Sequence, residues 1–223
     1  MDNPWTSLEL DEPPYVLECD KDFVKRYNQR THDKHRIMDK SIPEPFIGNP
    51  ETARLVLLNL NPGHGPTDEA DHKRPAIKAA MLKNLRWETR DYPFYPYDPI
   101  FSGTGVAKWW QPRTRELKLE SGLSDQAFST RLMVIEWFPY HSERFARHKS
   151  IYCPSQEQFT KPFAQWMSQK AALVVGMRSK RLWSEFDPQF REIPYLNSPQ
   201  CGYITRHNTT GDLFDKMLKA LTG

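Results

Sequence analysis

The stretch Arg54 to Gly65, RLVLLNLNPGHG, constrains this chain more than any other. Leu55, Val56, Leu57, Leu58 and Leu60 read as a strand buried on both faces, the signature of a parallel sheet covered by helices. Asn59 sits inside the run, and Asn61-Pro62-Gly63 ends it. In an open α/β sheet, ligands bind beyond the carboxyl ends of the strands, so a polar, glycine-bearing turn there is a candidate site. Asn-Pro and Gly are also ordinary turn formers, which leaves a plain strand ending as the competing reading.

Three more strands are predicted along the chain: Leu132 to Phe138 (LMVIEWF), Ala172 to Val175, and Ile193 to Leu196. Helical spacing marks Asp20 to Arg30, Ala76 to Trp87, Ser124 to Arg131 and a segment from Pro162. The last helix, Asp212 to Leu221, carries Leu213, Phe214, Met217, Leu218 and Leu221 on one face, with Thr209 or Thr210 as its cap. The N-terminal segment 1–19 begins with a proline-bearing stretch that should run extended over the surface. Ser41 to Ala53, with Pro43, Pro45 and Pro50, reads as a rigid lead-in to the first strand. Strands alternating with helices predict a three-layer α/β/α fold with a central, mainly parallel four-stranded sheet, in one domain over residues 1–223.

Composition narrows the function classes. Only 38% of residues are hydrophobic, but 13% are aromatic, which points to an aromatic-rich core rather than to disorder. A net charge of +3 permits a local basic face without showing one. Cys19, Cys153 and Cys201 lie far apart with no C-x-x-C pair, against a zinc ribbon, a disulfide framework or a four-thiolate cluster. His32 and His35 read as a solvated face, so neither a cofactor nor a metal cluster is expected. The acidic N-terminus lacks the regions of a signal peptide, and no run approaches the roughly 20 apolar residues of a membrane helix. The expectation is a soluble, cytoplasmic, monomeric protein.

Several features carry chemistry. In Arg90 to Trp110, Pro93, Pro96 and Pro99 alternate with aromatics, a density of proline that neither helix nor sheet tolerates. Phe94, Tyr95 and Phe101 there are either stacking platforms for a flat ligand or core packing. Glu136 is anomalous in an apolar strand: it either has a role at the strand's open end, or lines the sheet edge or pairs with a neighbouring arginine. Two basic clusters, Arg144, Arg147, His148 and Lys149, and Arg178, Lys180 and Arg181, are candidates for phosphate contacts or solvated surface. The second comes just after a strand's carboxyl end, on the presumed ligand side.

NLNPG, Asn59 to Gly63, resembles the first active-site motif of the uracil-DNA glycosylase superfamily, some members of which carry a Gly-x-Asn-Pro-Gly form there. Asn59 stands where the family usually has Gly. NSP, Asn197 to Pro199, is similar to the second motif with Ser and Pro transposed. The resemblance implies DNA as partner and hydrolysis of the N-glycosidic bond of a base flipped out of the stack. It assigns Asn61 to positioning water and the backbone of Pro62, Gly63 and His64 to shaping the pocket. Asn59, Asn197 and Ser198 join the base site, and Phe94, Tyr95 and Phe101 become the stacking candidates. Arg178, Lys180 and Arg181 would meet the DNA backbone. His64 and His207 are candidate proton donors to the departing base. Glu136 occupies the position of a strand-borne Asn that reads the base edge. An ionised carboxylate only accepts hydrogen bonds, so the expected base is one showing an amino group rather than plain uracil. Two alternatives stay open: a catalytically inactive glycosylase-fold module that binds nucleic acid or a partner, and a small-molecule nucleoside or nucleotide hydrolase.

Overall fold

Four short strands make one sheet: β1 (Phe46–Ile47), β2 (Leu55–Leu58), β3 (Leu132–Ile135) and β4 (Leu173–Gly176), in spatial order β1-β3-β2-β4. The computed structural model describes residues 1–145 and 152–223. β2 pairs in parallel with both neighbours, Leu58 lying opposite Ile135 on one side and Gly176 on the other. β1 pairs antiparallel with β3, Phe46 opposite Ile135. Every residue of β2 and β3 is buried, as expected of strands covered on both faces.

The helices among the described residues are α1 (Lys21–Arg30), α2 (Asp68–His72), α3 (Pro75–Leu85), α4 (Gly105–Ser121), α5 (Asp125–Arg131), α6 (Lys161–Lys170), α7 (Lys180–Phe186) and α8 (Leu213–Thr222). α8 buries Leu213, Phe214, Met217 and Leu221, and packs on β2 and β4 with α4 beside it. α5 packs on β3 and α6 on β4. The architecture is the three-layer α/β/α arrangement that the strand order predicts. No helix among the described residues is long and apolar enough to cross a membrane.

The fourth strand differs from the expectation. Ile193 to Leu196 adds only a bridge from Tyr195 to Gly176, with Gly176 N–H donating to Pro194 O (2.8 Å) and Leu196 N–H to Gly176 O (3.0 Å). Pro194 has no N–H to extend the ladder. The Tyr195 ring lies over Gly176 so closely that a Cβ there would come within 1.9 Å of it. The fourth strand is instead β1, inside the proline-rich lead-in, where two residues between Pro45 and Pro50 leave no periodicity to read. Its outer edge is closed by a side chain of α3: Asn84 donates to Phe46 O (2.8 Å) and accepts from Gly48 N–H (3.0 Å).

Other expectations are corrected locally. The N-terminal stretch does not lie loosely on the surface, because Trp5, Leu8, Leu10, Tyr15, Val16 and Leu17 are all buried. The aromatic-proline segment ends at Thr104, which caps α4 by accepting from Ala107 N–H. Pro112 lies within α4 and removes an intrahelical donor, which masks the helix in the sequence. Neither Thr209 nor Thr210 caps α8. Its N-cap residue is Asp212, and the Thr209 hydroxyl donates to Thr205 O and Arg206 O. Arg147, His148 and Lys149 of the first basic cluster lie outside the described residues.

Asn84 satisfies two backbone groups that are otherwise buried and unpaired, each costing about 1–3 kcal/mol when orphaned. Asn84→Ala is therefore expected to lower unfolding stability by roughly 2 kcal/mol or more, read as a drop in the urea midpoint with an unchanged slope.

Candidate functional site

Beyond the carboxyl ends of β2 and β3 lies a cavity of about 310 Å³. The parallel register that sets Leu58 opposite Ile135 brings the next residues, Asn59 and Glu136, side by side. Asn59 Nδ2 donates to Glu136 Oε1 (2.9 Å). Both residues are 2% exposed and both line the cavity. Asn59 Oδ1 and Glu136 Oε2 are buried and have no partner among the described residues. Two unsatisfied polar atoms on one pocket floor are a feature that native structures seldom keep without a ligand or a water to meet them. From behind, Trp183 of α7 fixes the Asn59 backbone, its Nε1–H donating to Asn59 O (2.7 Å).

Burial pushes the Glu136 carboxyl up to about 8, partly opposed by the hydrogen bond from Asn59. At neutral pH the acid is mostly protonated. Since Oε1 already accepts from Asn59, the free Oε2 is where a proton is useful. This corrects the premise that Glu136 only accepts: in its prevailing form it donates, as an amide would.

The turn after β2 supplies the pocket's next wall. Asn61 Nδ2 donates to Pro62 O (2.8 Å) and to Ser142 Oγ (3.0 Å), while Gly63 bridges to Ser142 in the loop after β3. Both amide protons are thereby committed, and the remaining Asn61 Oδ1 is an acceptor, suited to orienting a water rather than to taking its proton. Asp68 of α2 accepts from Gly65 N–H (2.7 Å), closing the same turn. Its Oδ1 fills the space beside Gly105, where a Cβ would sit 2.3 Å away, so only glycine lets α4 start this close to the turn.

Beneath the turn lies a buried cluster of Glu44, His72 and His141, whose ligating atoms fall within 4.8 Å of one another. The hydrogen bonds do not fit a cation there. His141 Nδ1 lies 2.6 Å from Gly63 O and Nε2 lies 2.8 Å from Ile42 O, so both ring nitrogens are turned to backbone carbonyls rather than to a shared metal position. His72 Nδ1 accepts from Ile42 N–H (3.0 Å). Glu44 approaches His141 at 3.9 Å and accepts from Tyr95 O–H (2.5 Å). Burial raises the Glu44 carboxyl, with His141 and Tyr95 opposing. Burial and the neighbouring His141 hold His64 below, and His72 well below, the ordinary imidazole range. His64 is thus neutral at neutral pH, which weakens its expected part as a carrier of an extra proton.

The cavity gathers Asn59, Asn61, Pro62, Gly63, His64 and Glu136 of the predicted site. Phe94, Tyr95 and Phe101 are not in it: they are at most 1% exposed, Tyr95 stacks on Phe101 (4.6 Å between centroids) and Phe94 packs edge-on against Trp110 (5.6 Å). The prolines hold these rings inward against α4, so they are core and not a platform. Asn197, Ser198 and His207 are exposed and away from the cavity, the first two held by Asn208 through Asn197 N–H to its carbonyl (3.0 Å) and Ser198 N–H to its side chain (2.6 Å). Arg181 pairs with Glu185, and Lys180 sits over the Tyr195 ring. Of the three basic residues, Arg178 exerts its charge at Glu136.

Glu44, Asp68, His72, His141 and the Trp109–Trp110 pair are pocket residues that the sequence reading passed over. His64, Asp68 and His72 recur every fourth residue, a helical spacing of polar groups that marks them in retrospect. Glu44 carries no such mark. The antiparallel run of β1 along β3, continued by Glu44 N–H to Pro139 O (3.0 Å), delivers it.

Glu136 binds its proton in the fold at pH values where the unfolded chain has lost it, so its contribution to stability is fully present below about pH 4.5 and is lost as pH rises through about 8. Glu136→Gln removes this loss. Between about pH 6 and about pH 9, the unfolding free energy of the variant, read from urea titrations, is expected to fall less than that of the wild type, by an amount on the order of a few kcal/mol at the alkaline end. Comparison with protein-family models, with curated protein sequences and with solved structures finds no match for this chain.

Proposed function

We propose that this chain is a divergent uracil-DNA glycosylase-like hydrolase that cleaves the N-glycosidic bond of a base extruded from DNA. The observation that carries the reading is the pocket floor, where Asn59 Oδ1 and Glu136 Oε2 stand unpartnered among the described residues, beside the Asn61 turn. A protonated Glu136 donates and Asn59 Oδ1 accepts, so together they match an edge on which a carbonyl adjoins an N–H. Uracil and deaminated purines present such an edge. The amino-bearing base expected of an ionised Glu136 becomes the better match only above about pH 8.

Cleavage leaves an oxocarbenium-like sugar and an anionic base. Glu136 Oε2–H is placed to meet charge developing on the base, and Asn61 Oδ1 to orient the attacking water. The carboxyl of Glu44, 3.9 Å from His141 Nε2, stands in the same cavity to face a cationic sugar. Among the described residues no Lys or Arg lines the cavity, so phosphates stay outside and an uncharged group enters. That same feature favours the second reading, a hydrolase of free nucleosides rather than of nucleotides.

The test is release of base from a panel of oligonucleotides carrying uracil, deaminated purines or amino-bearing modified bases, with free nucleosides alongside. Asn61→Ala is expected to lower the single-turnover rate about 100-fold through lost orientation of water. The wild-type rate on uracil-type bases should decline above about pH 8 as Glu136 ionises, while Glu136→Gln flattens that limb. Activity that neither substitution changes places the chemistry elsewhere.

A further inference from the structure

We infer that the strip formed by Trp109, Arg113 and Tyr203 beside the pocket mouth seats the unpaired bases of a single DNA strand whose extruded nucleotide enters the pocket. This rests on the proposed reading of the pocket and adds the form of the substrate.

Trp109 belongs to both places: it lines the cavity, and its ring carries the Arg113 guanidinium 3.3 Å from its centroid. The same guanidinium lies 5.1 Å from the Tyr203 ring, so the cation stands between two aromatic rings. Tyr203 is 40% exposed, one of the few large apolar side chains that the described surface leaves open. The strip is built rather than accidental. Arg113 Nη1 donates to Trp109 O (2.8 Å), and Ile204 N–H donates to Arg113 O (2.8 Å), which ties the Tyr203 loop to α4. Gly202 turns that loop with φ +63°, and a Cβ there would press on Met177 at 2.9 Å. Arg178 lies 5.6 Å from the Trp109 ring and reaches Pro199 O (3.1 Å).

Ring faces and guanidinium planes are surfaces on which bases stack without regard to sequence. A duplex keeps its base faces inside the helix, so only unpaired bases use such a platform. Charge points the same way. The cavity is lined by Asp68 and Glu143 and, among the described residues, by no Lys or Arg, which keeps the phosphates of a strand on the rim, where Arg113 and Arg178 stand.

The experiment measures fluorescence anisotropy of a short, lesion-free oligodeoxynucleotide with the full chain, against its duplex and against the oligoribonucleotide of the same sequence. The single DNA strand is expected to bind most tightly. Tyr203→Ala and Arg113→Ala each weaken it by about tenfold or more, whereas Tyr203→Phe retains the affinity. Tyr203 is exposed, so its loss leaves the fold intact, which circular dichroism checks. Equal or tighter binding of the duplex or of RNA, or an affinity untouched by Tyr203→Ala, overturns the inference. Because the oligonucleotide carries no lesion, the result is separate from catalysis. Strand binding with no base released from any substrate keeps the platform and removes the glycosylase reading. Release from free nucleosides with no strand binding removes the platform and leaves the nucleoside-hydrolase reading.

Discussion

The pairing of β2 with β3 in register is the constraint on which the site depends. Leu58 and Ile135 end their strands at the same level, and the residues after them form one continuous wall. Asn59 N–H still donates to Ile135 O (2.9 Å) and Phe138 N–H to Leu60 O (2.8 Å), so the strands remain coupled after regular pairing stops. A slip of one residue would turn Glu136 to the other face of the sheet and leave its carboxyl buried without Asn59. Pairing on both sides of β2 resists that slip, since Leu58 is matched to Ile135 on one side and to Gly176 on the other. Sheet pairing thus sets the geometry of the polar pair at its end.

Electrostatics in the pocket derives from burial more than from charge count. Glu136 takes a proton because burial disfavours the ion, and the same burial holds His64 and His72 neutral. His141 lies between them, with carbonyl oxygens of Gly63 and Ile42 meeting both of its nitrogens. A cavity rich in titratable groups therefore presents neutral donors and acceptors on its floor. This is a buried, preorganised setting in which oriented dipoles act strongly.

Much of this was legible from particular residues. Leu55 to Leu58 announced a covered strand, Glu136 stood out against LMVIEWF, and Asn61-Pro62-Gly63 marked where to look. The features that stayed hidden depended on pairing at long range. β1 has two residues between prolines, and only its alignment with β3 brings Glu44 to the site. The aromatic-proline segment was readable as unusual but not as inward-facing. The direction of Tyr95 is fixed by Glu44, 51 residues earlier, and no local pattern carries that contact. Pro112 likewise concealed α4, and with it the Trp109–Trp110 pair.

The closure of β1 by Asn84 has a meaning beyond stability. An edge strand ordinarily exposes a carbonyl and an N–H on which another extended peptide can continue the sheet. Here the amide of Asn84 imitates that peptide, giving one donor and one acceptor at the required places. The sheet is terminated by a side chain at this border, and a second copy or a foreign strand can add there only by first displacing it from the helix side.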